Sequence, residues 1–317
     1  MKMTTDRESG ETAYHLSVMA EEVVHFLIVD PLGLYLDATL GGGGHAADIL
    51  DKLGPAGGLI GLDRDMEAVL RNQTNFAGES RISIRHAAFS RLREFCPPES
   101  LAGALFDLGV SSRQLDAGER GFSFSPGTPL DMRMGQGEGA TAADMLRTWD
   151  DDELAAVLRA NADIIEARRL ARYIKSQISE TAEPTSDALR RAVERLPGIR
   201  GDKRNQLLAR VFQAVRMEVN CELGEIETGL SDAVTALRKG GRMCILSYHS
   251  VEDRKVKETL ASFERDCLCP PELPVCRCGG GHRQLKKVLR KPGLPTAIER
   301  ARNPRARSAK LRVMEKT

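Results

Sequence analysis

The 317-residue sequence predicts an α/β fold of Rossmann-like type, a parallel sheet interrupted by an inserted helical domain. Three observations predict it. Short apolar runs alternate with helical patterns from Tyr35 to Asp107, as in a parallel sheet covered on both faces. That alternation then gives way to a mostly helical stretch from Ala140 to about Val219, and the strand pattern returns only at Arg242–Tyr248. Finally, four consecutive glycines, Gly41 to Gly44, separate the first strand from the first helix.

The elements follow in order. Tyr35–Leu40 reads as a short buried strand and His45–Leu53 as a helix, which the Gly54-Pro-Ala-Gly-Gly58 segment ends. Leu59–Asp63 is a second strand closing on an acid, Asp65–Asn72 a helix, Arg81–Ala87 a third strand and Leu101–Asp107 a fourth. From Ser111 to Met134 the chain is loop-like, rich in Gly, Ser and Pro. Beyond it, Leu154, Val157 and Leu158, and then Leu170, Tyr173 and Ile174, recur at helical spacing. A Gly240-Gly241 turn precedes the fifth strand, and Val251–Phe263 is a further helix. The domains expected are 1–112 as the first part of the sheet domain, 113–212 as the helical insertion, and 213–317 as the second part with a basic tail. No internal repeat is present.

Hydrophobic residues make up 41% of the chain, enough for a packed core, while aromatics at 4% argue against broad base-stacking platforms. The formal net charge is only +1, but residues 282–317 hold 12 Lys and Arg against 2 acids. A basic tail on an acidic body points to a polyanion such as RNA, with a merely solvated tail as the alternative. Residues 1–14 lack a basic-then-apolar signal pattern, no apolar run approaches the ~18 residues of a membrane span, and the cysteine count is odd. A cytoplasmic protein is therefore expected.

The glycine run lies where an open α/β sheet binds nucleotide-like ligands, after the first strand at its carboxyl end. Asp63 ends the second strand, 19 residues beyond Gly44, and is placed to accept from ribose hydroxyls. Gly42, Gly44 and Ala47 also fit the dinucleotide pattern, so NAD is one candidate. Three features favour S-adenosylmethionine. Asp37 stands four residues before the glycines, where a carboxylate meets an ammonium but repels a pyrophosphate; Phe89 after the third strand offers a ring to adenine; and Asp107 ends the fourth strand near the reacting centre.

Ordered blocks along the chain carry a resemblance. They are His15–Val23, Leu36–His45, Leu62–Asp65, Asp107–Asp116, Glu119–Phe124, Pro129–Met134, Phe212–Arg216, Ser247–Arg254 and Asn303–Ser308. Together they resemble the ribosomal RNA small subunit methyltransferase H family, the cytosine-N4 methyltransferases of small-subunit ribosomal RNA. The resemblance implies a class I methyltransferase sheet with an inserted helical domain. It implies S-adenosylmethionine as methyl donor, and as substrate a cytosine in the decoding region of small-subunit RNA or the assembling subunit. It leaves a homodimer open. The contacts it implies are Gly43, Gly44 and His45 in the turn, Asp63 at the ribose, Phe89 beside the adenine, and Asp107 and Gln114 near the methionine end. The sequence departs from the family's pattern at Tyr248, where Phe is usual, and at Asn161–Ile165.

The cytosine amine is a poor nucleophile, so in-line positioning and a hydrogen-bond acceptor at the amine matter more than a strong base. Asp107 and His249 follow strands at the carboxyl edge and are the catalytic candidates, with cofactor binding and loop bracing as their alternative roles. Arg133, Arg216, Arg305 and Arg307 are candidate phosphate contacts; a helix-surface salt bridge is the alternative for Arg216. A non-catalytic RNA-binding assembly factor is the competing function class. Cys267-Leu-Cys269 and Cys276-Arg-Cys278, six residues apart, bring four thiols close enough for zinc. C-x-C is tighter than usual zinc spacing, however, and free or redox-active thiols compete, so no metal site is assigned.

Overall fold

The computed structural model describes residues 17–110, 120–122, 124–135, 137, 139–270, 273 and 275–317; Gln114 lies outside them. The strands are β1 (Leu34–Asp37), β2 (Gly58–Asp63), β3 (Ile82–His86), β4 (Leu101–Asp107), β5 (Leu237–Ser247), β6 (Leu285–Lys287) and β7 (Lys310–Lys316). They form one sheet in the order β3-β2-β1-β4-β5-β7-β6. Neighbours from β3 to β5 pair in parallel, and β7 runs antiparallel to both β5 and β6.

The two faces of the sheet are written in alternation along each strand. Leu36, Ala104, Phe106 and Ile245 pack on one face, and Tyr35, Leu105, Cys244 and Leu246 on the other. The second face is covered by α1 (Ala20–Leu27) and α2 (Gly44–Lys52). The first is covered by α9 (Glu222–Ala236) and α10 (Ser250–Glu264). Between β2 and β3 runs α3 (Met66–Asn75), whose N-cap Asp65 accepts from the Glu67 amide. In β5 the chain slips register against β4, and a Cβ at Gly241 would stand 2.9 Å from the Leu101 carbonyl oxygen, a close approach only glycine allows.

The expected helical insertion forms a second core. Its helices are α4 (Ala142–Thr148), α5 (Asp151–Ala162), α6 (Ala167–Ser179), α7 (Ser186–Glu194) and α8 (Asp202–Val219). Thr141 with Asp144 and Asp150 with Glu153 form capping boxes that satisfy the first amides of α4 and α5. Leu170, Ala171, Ile174 and Ile178 face inward at helical spacing, in a buried cluster reaching from Leu130 to Val215. A boundary at 212 falls inside α8, because Ala214 and Val215 still belong to that cluster.

Two differences from the sequence reading have physical causes. The first strand stops at Asp37, yet Ala38 and Leu40 still donate to Leu105 and Leu62, so the chain turns while bonded to both neighbours. Part of the basic tail is built into the sheet as β6 and β7, and β7 is buried at Leu311, Val313 and Met314. Lys310 and Arg312 pair with Asp253, Lys286 with Glu315, and Lys287 with Glu264. Those charges serve strand docking. Among the described residues, no helix is long and apolar enough to cross a membrane.

Candidate active site

Asp63, Asp37 and Asp107 end three adjacent parallel strands, β2, β1 and β4, and so converge around the glycine turn. The turn is shaped by two left-handed glycines, Gly41 (φ 50°) and Gly43 (φ 81°), the latter capping α2. A Cβ on Gly43 would lie 2.1 Å from Asn72 Oδ1. Fully buried Asn72 clamps the turn from α3, donating from Nδ2 to the Gly41 and Ala68 carbonyls, each at 2.9 Å. Sequence reading missed Asn72: it lies in no motif block, and its role needs a helix 31 residues downstream to fold against the turn. Gly42 has open space where a Cβ would stand, and Gly44 begins α2.

Asp63 accepts from Gly41 N at 2.7 Å and Asp65 N at 2.8 Å, one on each carboxylate oxygen, which fixes its orientation. Burial pushes its pKa up to about 6 against these bonds. Asp37 is 1% exposed; Oδ1 accepts from Thr39 N at 3.1 Å, while Oδ2 is buried with no hydrogen-bond partner. Burial raises the Asp37 pKa to about 6, offset in part by His45. An ionised carboxylate in such a place calls for a cation.

His45, in the first turn of α2, is buried with neither ring nitrogen hydrogen-bonded. Its Nε2 lies 3.5 Å from Asp107 Oδ2, too long for a good hydrogen bond and therefore an ionic contact. Burial works against protonation of the ring, but Asp107, Asp37 and Asp48 outweigh it and hold the pKa above the usual histidine value. Asp107 is anchored at its backbone, where its amide donates to Thr39 Oγ1 at 2.7 Å. Its Oδ1 accepts from the Tyr248 hydroxyl at 2.6 Å, a bond that phenylalanine at that position lacks.

Phe89 opens a short 3₁₀ turn, with its ring edge-on to Phe106 (centroids 5.6 Å apart) and tight against Gly229. The ring is half-buried, and much of it serves the packing of α9. His249 sits beyond β5, but its contacts differ from those of Asp107. It is the N-cap of α10: Nδ1 accepts from Glu252 N at 3.3 Å, and Glu252 Oε2 accepts from the Tyr248 and His249 amides at 2.9 and 3.3 Å. Burial alone would push buried Glu252 up, yet His249 and Arg216 hold its pKa below the usual range. His249 also lines a groove of about 290 Å³ with Tyr248, Ser250, Leu294, Arg307 and Lys310.

The four arginines expected at phosphate separate. Arg216 is held inside the protein: its guanidinium, 13% exposed, grips Glu222 through Nε at 2.8 Å and Nη2 at 2.9 Å, with Glu252 4.0 Å away, the salt bridge that was its alternative role. Arg133 forks onto Asp131 (2.8 and 2.7 Å) and reaches the Gly139 carbonyl, so it too is largely engaged. Arg305 is half-buried in a 3₁₀ turn and has interaction partners there. Arg307 is exposed at the groove. The motif blocks around Arg216 and His249 thus meet at the junction of sheet and helical cores. Asn161 and Asp163 join them there: Gln213 donates to the Asn161 carbonyl and Arg254 pairs with Asp163. These are the positions where the sequence departs from its resemblance, and they bind the two cores together. The four clustered cysteines, left without a metal by the sequence reading, come together with every Sγ within 4.8 Å of the others.

Comparison with known proteins bears directly on this site. "Ribosomal RNA small subunit methyltransferase H" of Caldicellulosiruptor saccharolyticus is 40% identical over 305 residues, 95% of this chain and 99% of its own length. The protein of that name from Clostridioides difficile is 38% identical, over 96% and 99% of the two chains, and that from Geobacter sp. (strain M21) 41%, also over 96% and 99%. The model of the MraW methylase family matches residues 12–317, so the carboxylates, the glycine turn and the groove all lie within the match, and the chain belongs to that family of methylases.

Proposed function

We propose that this chain transfers a methyl group from S-adenosylmethionine to the exocyclic N4 of a cytosine in the decoding region of small-subunit ribosomal RNA. The observation that carries the donor side is Asp37 Oδ2, buried and unpartnered beside the glycine turn. An ammonium group satisfies it, whereas a pyrophosphate, as in NAD, would be repelled. Asp63, oriented by two backbone amides, retains lone pairs for ribose hydroxyls. Gly42 leaves the backbone open to close approach, and half-buried Phe89 is the ring proposed beside adenine.

Bound S-adenosylmethionine supplies an electrophilic methyl on a sulfonium. The residues of this chain orient the amine. Asp107 accepts an N–H of the cytosine amino group, which turns the nitrogen lone pair toward the methyl and takes up positive charge as it develops. Tyr248 holds Asp107 in that direction by its 2.6 Å bond, and the Thr39 hydroxyl fixes the Asp107 backbone. The proton leaves after transfer, so no strong base is required. His249 acts through α10, shaping the groove floor beside Tyr248. The base must leave its stack to reach Asp107, and Arg307 at the groove rim is placed to hold a flanking phosphate.

The test combines labelled S-adenosylmethionine, immature small subunits and mass mapping of the modified nucleotide. N4-methylcytidine at one decoding-region position is expected. Label at another base, or binding of RNA without transfer, overturns the assignment, as does calorimetry showing tight NAD binding and none of S-adenosylhomocysteine.

A further inference from the structure

Between α10 and β6 the chain makes a twenty-residue excursion, residues 265–284, whose described residues form no apolar core of their own. Its larger apolar side chains point outward, Leu268 60% and Val275 71% exposed. The base is closed by backbone bonds, Gln284 N to Phe263 O at 2.9 Å and His282 N to Asp266 O at 3.2 Å. A loop of this length without packing has to draw its order from something else.

Its four cysteines converge just beyond that base. Cys267 Sγ lies 3.5 Å from Cys276 Sγ and 3.6 Å from Cys278 Sγ, and the Cys276 and Cys278 sulfurs are 3.6 Å apart; all four fall within 4.8 Å of one another. A disulfide needs ~2.05 Å. Four thiolates at ~2.3 Å from one tetrahedral ion are ~3.8 Å from each other, close to the 3.5–3.6 Å of these three pairs and compatible with the 4.8 Å that bounds all four. Each C-x-C arm is braced by an amide of the other, Leu268 N to Cys278 Sγ at 3.4 Å and Arg277 N to Cys269 Sγ at 3.2 Å. Such N–H donors reduce the charge on bound thiolates and orient them. Gly279, Gly280 and Gly281, all at positive φ, fold the chain back after the last cysteine.

We propose that Cys267, Cys269, Cys276 and Cys278 bind a zinc ion in a tetrahedral tetrathiolate site that staples this loop. The site is structural: all four positions are protein ligands, so none is open to substrate, and methyl transfer does not use it. Four soft thiolates in a tetrahedron select zinc over the hard oxygen-seeking cations. Cys221, exposed but distant in sequence, and buried Cys96 and Cys244 take no part.

The test is metal analysis of the full-length chain, expressed with zinc and purified under reducing conditions without chelator. About one zinc per chain is expected. The paired change Cys276→Ser with Cys278→Ser lowers bound zinc at least tenfold, and Cys221→Ser leaves it unchanged. Cobalt titration of the wild-type chain, which needs no variant to fold, gives the thiolate charge-transfer and ligand-field bands of a tetrahedral tetrathiolate site. Chelation makes the loop a protease target between residues 265 and 284, while S-adenosylhomocysteine binding persists. Zinc below a tenth of an equivalent after reconstitution, iron in its place, zinc retained by the double variant, or disulfides in the freshly reduced chain would each overturn the proposal.

Discussion

Replacing Asp37 with Asn separates what this carboxylate does for the fold from what it does for the cofactor. Asp37 is 1% exposed, with one oxygen unpartnered, and burial lifts its pKa from 3.8 to about 6. Two pKa units correspond to ~3 kcal/mol. The raised pKa fixes the sign: the folded state binds the proton more tightly than the unfolded chain. This stabilising contribution is therefore complete below pH 4 and is lost as pH rises through about 6. At pH 7.5 the ligand-free wild type carries the cost of a buried ionised carboxylate, and Asp37→Asn does not. The variant without ligand should melt up to ~6 °C higher at pH 7.5, at about 2 °C per kcal/mol for a chain this long, with the gap closing toward pH 4. The same change removes the proposed partner of the cofactor ammonium. A charged hydrogen bond contributes ~1.5–3 kcal/mol, so S-adenosylhomocysteine affinity should fall about 10- to 100-fold. Scanning fluorimetry across pH and calorimetry at pH 7.5 read the two effects. A variant that is less stable at neutral pH, or that binds S-adenosylhomocysteine as the wild type does, refutes the reasoning.

Three further outcomes are expected. Gly43→Ala drives a methyl into Asn72 Oδ1 at a positive-φ position, so it should weaken S-adenosylhomocysteine binding more than tenfold by calorimetry while far-UV dichroism stays native. Arg216→Ala leaves Glu222 buried and unpaired and should cost ~3–5 kcal/mol, seen as a lower denaturation midpoint with or without RNA. Arg307→Ala should leave the melting temperature within a degree, weaken RNA binding and lower its salt slope by ~0.7–0.9, measured by filter binding across salt concentrations.

The glycine turn and its three aspartates were legible because parallel strands bring their carboxyl ends to one edge, so a residue's place at the end of a strand already gives its place in the site. Asn72 was not legible, since its amide acts through a contact 31 residues away. Tyr248 looked like a departure from a motif; its hydroxyl acquires meaning only 2.6 Å from Asp107. Charge was the least readable property. Arg216 and Arg307 look alike as letters, but one is locked on Glu222 and the other faces the groove, and five of the twelve cations of the tail lie on strands.

By itself, then, the sequence determined the α/β frame with its helical insertion, the glycine turn, and the carboxylates at the strand ends proposed to meet the cofactor. These depend on local periodicity and on strand ends. Only the tertiary structure decided which cations are partnered, which histidine meets Asp107 and whether the four cysteines share one point. The contact of His45 with Asp107 spans 62 residues, and even the short-range pairs, Arg216 with Glu222 and the cysteines within 267–278, depend on how the chain turns between them, which spacing alone does not encode.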